Sequence, residues 1–228
     1  MKNNLRIALV FVAGLALATV LHLTLTASAD EISALSRTAA PAPLHAGGNY
    51  GGNFRFPIEE PTTLDPADAG SEGVIVGQVF EGLTKWDEDH NPKPAIAESW
   101  ESSDAQTWIF HIRPGARFHN GRQITAQDVV YSWNRVAGAG NDMYDGLVGS
   151  LIDTTTAVSA DTLRVTLNRP FAPFPSLLPL SFMSIVPSEA VGSIATNPVG
   201  SGPFRFQRWT AGDSIVLTYF EDYYAGRP

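Results

Sequence analysis

Apolar residues recur with a period of two at two places in the middle of the chain. Trp108, Phe110 and Ile112 alternate with Ile109, His111 and Arg113, and Leu163, Val165 and Leu167 alternate with Arg164 and Thr166. That period predicts half-buried strands, the second stopped by Pro170. Arg113-Pro114-Gly115-Ala116 supplies a turn after the first, and Arg117-Phe118-His119 is expected as a return strand closed by Asn120-Gly121. Further strands are expected at Asn53–Ile58, Leu83–Trp86 and Phe182–Val186, the last of them buried. Two more, Phe204–Trp209 and Ser214–Phe220, are joined by Ala211-Gly212-Asp213.

Helical spacing is clearest after Thr125. Val129, Val130, Trp133 and Val136 repeat at three and four residues and make one buried stripe. Thr125 and Asp128 have the spacing of a capping box, and Gly138-Ala139-Gly140 ends the helix. From Glu72 to Phe80, Val74, Ile75, Val79 and Phe80 also fall at helical spacing, with Gly82 placed as a C-cap. Phe171 to Leu180 holds three prolines and reads as a broken helix or a packed loop. A short surface helix is expected around Glu98 and Glu101. The class is α/β with strands dominant.

The N-terminus has a different grammar. Lys2 and Arg6 precede an apolar run from Ile7 to Leu25, and Ala27-Ser28-Ala29 follows. A positive start, an apolar middle and a small-x-small end make a secretory signal peptide over residues 1–29, cleaved after Ala29. An uncleaved anchor is the alternative, weakened by His22 and the threonines within the run. Residues 30–52, rich in Ala, Ser, Pro and Gly, read as a flexible leader. The glycines from 47 to 52 are not a phosphate loop, because no Lys-Ser/Thr follows them.

Composition narrows the chemistry. The chain has 228 residues, a net charge of −8, no cysteine and 44% apolar residues, so it can bury a core and is not a disordered chain. Its acidic balance argues against nucleic-acid binding, which relies on Lys and Arg to displace phosphate counterions. Lacking cysteine, it has no disulfide framework, no thiolate metal site and no acylated anchor. Asp87-Glu88-Asp89 lacks the glycine and distal glutamate of a calcium loop, and His111 and His119 match no common zinc spacing. There is no Gly-x-Ser-x-Gly elbow and no His-Glu-x-x-His. The expectation is no enzyme, no cofactor and no metal.

Several short blocks come in a fixed order. They are Leu64-Asp65-Pro66, Phe80-Glu81-Gly82-Leu83-Thr84, Pro92 through Trp100, Trp108 through Gly115, and Phe118-His119-Asn120-Gly121. Thr125 through Trp133, Gly200-Ser201-Gly202-Pro203-Phe204 and Tyr223-Tyr224-Ala225-Gly226 complete the series. Each block alone is weak, but together they strongly resemble the oligopeptide, dipeptide and nickel solute-binding proteins of ATP-binding-cassette importers (bacterial extracellular solute-binding family 5).

The resemblance implies a two-lobed, periplasmic-binding-protein type II-like fold that closes on its ligand. Only part of lobe I would be present, from residues 53–68 and 181–228, with an inserted α/β subdomain at residues 69–180. It also implies a periplasmic monomer that hands a peptide or other small solute to inner-membrane permease subunits. Residues corresponding to ligand neighbours are Gly70, Ser71 and Glu72, after Leu-Asp-Pro, and Tyr144. Backbone groups beside Gly70 can bond a peptide main chain, and Tyr144 joins an apolar face to a hydroxyl. Leu64 and Asp65 are expected as structural turn residues. Family members continue well past the position of Pro228, so a truncated N-terminal portion is expected. A non-binding fragment and a secreted hydrolase acting through Glu98 are the other readings. Peptides, nickel chelates, haem, opines and sugars all have relatives with similar blocks.

Overall fold

The computed structural model describes residues 52–68, 71 and 73–227. The expected signal peptide and all but the last residue of the expected leader lie outside them. The chain divides into two compact units, residues 1–56 and 57–228. In the first, the described residues 52–56 carry no strand pairing, and Phe54 is 86% exposed. The strand expected at Asn53–Ile58 is absent among the described residues. Its alternation is too short to bury a face.

In the second unit the elements follow in this order. Helix α1 spans Gly73–Val79, and β1 (Thr84–Trp86) pairs antiparallel with β2 (Pro92–Pro94). Strands β3 (Ala97–Glu101), β4 (Thr107–Ile112), β5 (Ile152–Ala157) and β6 (Thr162–Leu167) form one antiparallel sheet in the order β3-β4-β6-β5. Helix α2 runs Ala126–Gly138. The short α3, Asp142–Tyr144, leads directly into a π-helical turn at Asp145–Gly149. A hairpin of β7 (Phe204–Thr210) and β8 (Ser214–Tyr219) follows.

The larger core forms where period-two faces meet a period-3.6 stripe. Trp108, Phe110 and Ile112 from β4 and Leu163, Val165 and Leu167 from β6 are buried together with Val129, Trp133 and Val136 from α2. Phe174 meets Phe110 edge-on at 6.3 Å. The α2 N-terminus is closed as its sequence implies, with Thr125 N–H donating to Asp128 Oδ2 at 2.9 Å. Arg122 then ties the capping carboxylate to Glu189, donating to Asp128 Oδ1 and to Glu189 Oε1 at 2.7 Å each. That guanidinium holds the Glu189 carboxyl down at about 2. A second cluster gathers Leu64, Ile75, Val76, Val79, Phe80, Val186 and Ile194, with Phe206, Trp209, Ile215 and Leu217 packed against it. Glu60 accepts from Trp209 Nε1 at 2.7 Å and from Gly212 N–H at 3.0 Å, which fixes the tip of the hairpin.

Several expectations need correction. Residues 98–101 are strand rather than surface helix. Phe110 opposite Trp100 draws the segment into the sheet, and a bulge between Ala97 and Ser99 leaves both Glu98 and Glu101 exposed. The return strand at 117–119 is only an isolated bridge, Arg117 to Gln123, around the turn at Gly121. Phe182–Val186 is buried but is not a strand. Its backbone groups are satisfied by Trp133 Nε1 on Met183 O (3.4 Å), Glu81 O on Ile185 N–H (2.9 Å) and Ser132 Oγ on Val186 N–H (2.9 Å). Strand β5 has no counterpart in the apolar pattern. Its threonine run favours strand through β-branching rather than through a buried face.

Gly82 does not cap α1, which ends at Val79. It is required by close approach, since a Cβ there would lie 2.0 Å from the Leu178 carbonyl oxygen. Gly200 and Gly202 are in the same position against the end of α1, with Cβ contacts of 2.0 Å to Val79 O and 2.4 Å to Gln78 O. His119 clamps this loop. Gly200 N–H donates to Nδ1 at 3.3 Å, Nε2 contacts Gly202 O at 3.0 Å, and His119 N–H donates to Gly200 O at 2.8 Å. With Nδ1 accepting, the proton must sit on Nε2, so the ring serves the loop only when neutral. Burial, helped by Arg205 and opposed by the bond to Gly202 O, lowers its pKa to about 4.

Two outcomes follow. Gly200→Ala or Gly82→Ala is expected to lower the urea midpoint by the equivalent of about 1–3 kcal/mol, because the obstructing atoms are backbone and cannot turn away. Between pH 6.5 and about 4 the unfolded state binds the His119 proton and the folded state does not. Stability should therefore fall as pH drops through that window, by on the order of 2–3 kcal/mol, and level off below it. Denaturation of His119→Gln across the same pH range should lack that component.

Candidate functional site

Tyr144 reaches its position through a chain of local contacts. Asn141 lies at the N-terminus of α3, and its Oδ1 accepts the Tyr144 N–H at 2.9 Å. The Nδ2 of the same amide donates to Ala67 O at 2.8 Å, across 74 residues of sequence. Both capacities of one buried amide are spent on main chain, and they tie the Tyr144 segment to the turn after Asp65. The Tyr144 ring meets Phe182 edge-on at 6.2 Å. Gly149, at the end of the π turn, leaves room for it, since a Cβ there would come within 2.9 Å of Tyr144 Cε1. Burial, with the Asp145 charge adding to it, raises the phenol's pKa and keeps it a neutral donor and acceptor.

The turn itself is built by Asp65. Its Oδ1 accepts the Ala67 N–H at 3.0 Å, and its carboxylate receives both terminal nitrogens of Arg135 from α2, Nη1 on Oδ1 at 2.9 Å and Nη2 on Oδ2. A planar fork on a planar carboxylate fixes orientation as well as distance. Leu64 is fully buried beside it. Both are turn-building residues, as the sequence implies.

Tyr144 lines a cleft of about 410 Å³ together with Trp133, Asn134, Asp145, Gly149 and Asp153, among others. It is half open to solvent, and its walls mix aromatic, amide and carboxylate groups, the ingredients that orient a small polar ligand. Ser71 does not line it. That residue is half-buried, pairs with Thr63 in a single parallel bridge, and donates its N–H to Asp68 O at 3.2 Å. Gly70 and Glu72 lie outside the described residues. Of the four expected ligand neighbours, Tyr144 alone is seen at a cleft among the described residues.

Two groups escape sequence reading. Asn141 has no motif around it, although an Asn three residues before an aromatic, after a Gly-rich helix end, carries a capping signal. Glu81 sits in a block quoted only for its family likeness, yet it is buried at the rim of a second cleft of about 540 Å³ beside α1. Among the described residues no group of three or more His, Asp or Glu side chains is placed to hold a metal ion.

Comparison with known proteins gives a consistent answer. The model of the bacterial extracellular solute-binding proteins, family 5 Middle, matches residues 91–228. The periplasmic oligopeptide-binding protein OppA of Escherichia coli is 33% identical over 184 residues, covering 69% of this chain and 34% of that protein. The structure of the Escherichia coli murein tripeptide binding protein MppA superposes with a TM-score of 0.67 at 25% identity, over 73% of this chain and 37% of the other. The Helicobacter pylori periplasmic binding protein DppA, in complex with the peptide STSA, superposes with a TM-score of 0.66 at 28% identity, over 74% and 39%. The chain thus spans about a third of the length of these relatives, and its mixed α/β fold is a portion of the type II periplasmic-binding-protein architecture. On the family match and these likenesses, the chain belongs to the bacterial extracellular solute-binding proteins of family 5.

Proposed function

We propose that this chain serves as the extracytoplasmic substrate-binding component of an ABC importer, or as a portion of one, capturing peptides in an interlobe cleft for inner-membrane permease subunits. The observation that carries this reading is the Asn141 amide, which holds the Tyr144 segment against the turn after Asp65. Tyr144 is one expected ligand neighbour and the turn at Ala67 leads toward the others at residues 70–72, and a bifunctional tie of this kind is what a preorganised site needs. The relatives add weight, since one is named for oligopeptides and another holds a bound peptide.

The domain division belongs to the same reading. Residues 53–68 and 181–228 contribute to a ligand-bearing lobe, and residues 69–180 form an inserted subdomain. The two core clusters follow this division only in part, since α1, within residues 69–180, packs with Leu64, Val186 and the β7–β8 hairpin rather than with the subdomain core. The protein works in the periplasm as a monomer, exported by residues 1–29 and cleaved after Ala29. It is a binding protein and not an enzyme.

Calorimetry of the purified chain against a random tripeptide pool is expected to give saturable heat. Tyr144→Phe keeps the packing on Phe182 and removes one hydroxyl, so it should weaken binding about two- to tenfold. Absence of heat, or an unchanged affinity in Tyr144→Phe, removes the support for a peptide site at Tyr144. Expression in a Gram-negative host should yield periplasmic protein whose mass begins at Asp30; an intact N-terminus would overturn cleavage after Ala29.

A further inference from the structure

The Tyr144 cleft is one-sided in its charge. Asp145 and Asp153 both line it, both are exposed, and no Lys, Arg or His stands on its walls. Neither carboxylate is in an ion pair among the described residues, where the bridges join Lys85 to Glu81, Arg122 to Asp128 and Glu189, and Arg135 to Asp65. Both charges are therefore reachable and unpaired. Asp145 comes from the π-helical turn, and Asp153 from the irregularity in β5, where the register shifts between Ile152 and Thr154. Two exposed carboxylates are ordinarily a solvated face, so the pair alone assigns nothing.

The Tyr144 hydroxyl adds an independent sign. Tyr144 is 5% exposed, yet its hydroxyl has no hydrogen-bond partner among the described residues. Nor is that oxygen sealed off. Among the described residues only Glu81 Oε2 and Ser201 Oγ are both cut off from solvent and unpaired, Glu81 Oε1 taking Tyr223 and Tyr224 instead. A phenol buried along its ring and open at its oxygen presents that oxygen to the cleft it lines. A Cβ at Gly149 would lie 2.9 Å from Tyr144 Cε1 and 3.3 Å from Asp145 Oδ1, so the ring edge and the carboxylate flank one point of the wall. The hydroxyl, kept protonated, still has lone pairs to accept from a cationic donor.

We infer that this cleft is a specificity pocket for a cationic side chain, so that the solute is a peptide carrying lysine or arginine, its charged head shared by Asp145 and Asp153 and a donor met by the Tyr144 hydroxyl. The inference rests on the peptide reading and deepens it. About 410 Å³ is room for one long side chain rather than a whole peptide, and the half-buried Ile152 and the Trp133 ring offer an apolar wall for its carbon stem. A neutral side chain of equal length leaves both carboxylates as water leaves them. A positive head pairs with them in a cleft that screens charge less than open surface does.

Calorimetric titration of the full chain with Ala-Lys-Ala, and with the same peptide acetylated on the lysine Nε, separates the charge from the stem. The wild type is expected to bind the free-lysine peptide about three- to tenfold more tightly. Asp153→Asn and Asp145→Asn should each cut that preference about two- to fivefold. Glu98→Gln, which removes an exposed charge from β3, should leave it unchanged. Equal affinity for the two peptides, or a preference that survives both aspartate changes, overturns the inference and leaves the peptide reading standing. An equal loss in Glu98→Gln also overturns it, because the attraction is then that of the chain's net charge. If neither peptide binds, the peptide reading falls, and n-butylammonium followed by NMR decides the pocket. Saturable binding that Asp153→Asn weakens upholds it, and no binding overturns it.

Discussion

The main chain at Gly200 and Gly202 lies against the carbonyls of Gln78 and Val79, an approach that only residues without a Cβ permit. From that contact much of the second core follows. Gly202 N–H donates to Val79 O at 2.9 Å, and Pro203 O receives the Phe220 N–H at 2.8 Å, so the loop fastens α1 to the β7–β8 hairpin. His119 secures the other side of the loop, and its ring packs edge-on against Phe220 at 4.9 Å. A loop wedged this tightly cannot also carry a charged imidazole, which is why burial holds that ring neutral. Packing and protonation here are one constraint seen twice.

Polar groups in this protein do architectural work at long range. Asp65 and Arg135 join the first turn to α2, Arg122 joins the α2 cap to Glu189, and Asn141 joins Ala67 to Tyr144. Each pairs a local role, such as a cap or a turn, with one distant partner. That economy keeps buried polar atoms satisfied while several unconnected stretches of chain are brought to one place. Glu81 departs from the pattern, with one oxygen over-served and the other bare.

How far the sequence foretold this structure depended on where each residue's partner lies. Trp108, Phe110 and Ile112, like Val129, Trp133 and Val136, announce their burial because the period of their own element exposes it. The capping box at Thr125 is equally local. Strand β5 was illegible because its threonines alternate in no apolar pattern. Phe182–Val186 misled because a buried apolar run looks the same as strand or as packed loop. Asn141 and Glu81 were invisible for another reason: their partners stand 74 and 142 residues away. Tyr144 was found only through family likeness; nothing in its immediate sequence separates it from an ordinary core tyrosine.

The stretch from Val79 to Thr84 is bonded outward at nearly every step. Val79 O takes Gly202, Glu81 O takes Ile185, Gly82 O takes Ile96, Leu83 O takes Ala95 and Ala97, and Thr84 Oγ1 donates to Pro175 O. Six consecutive residues therefore act as a ruler whose graduations are fixed by four other segments. Surface loops tolerate changes in length because water replaces whatever they lose. Here a single inserted or deleted residue would turn every later carbonyl toward the wrong neighbour. Homologous chains should thus hold the length of this strip fixed, and at Gly82 the absence of a side chain as well.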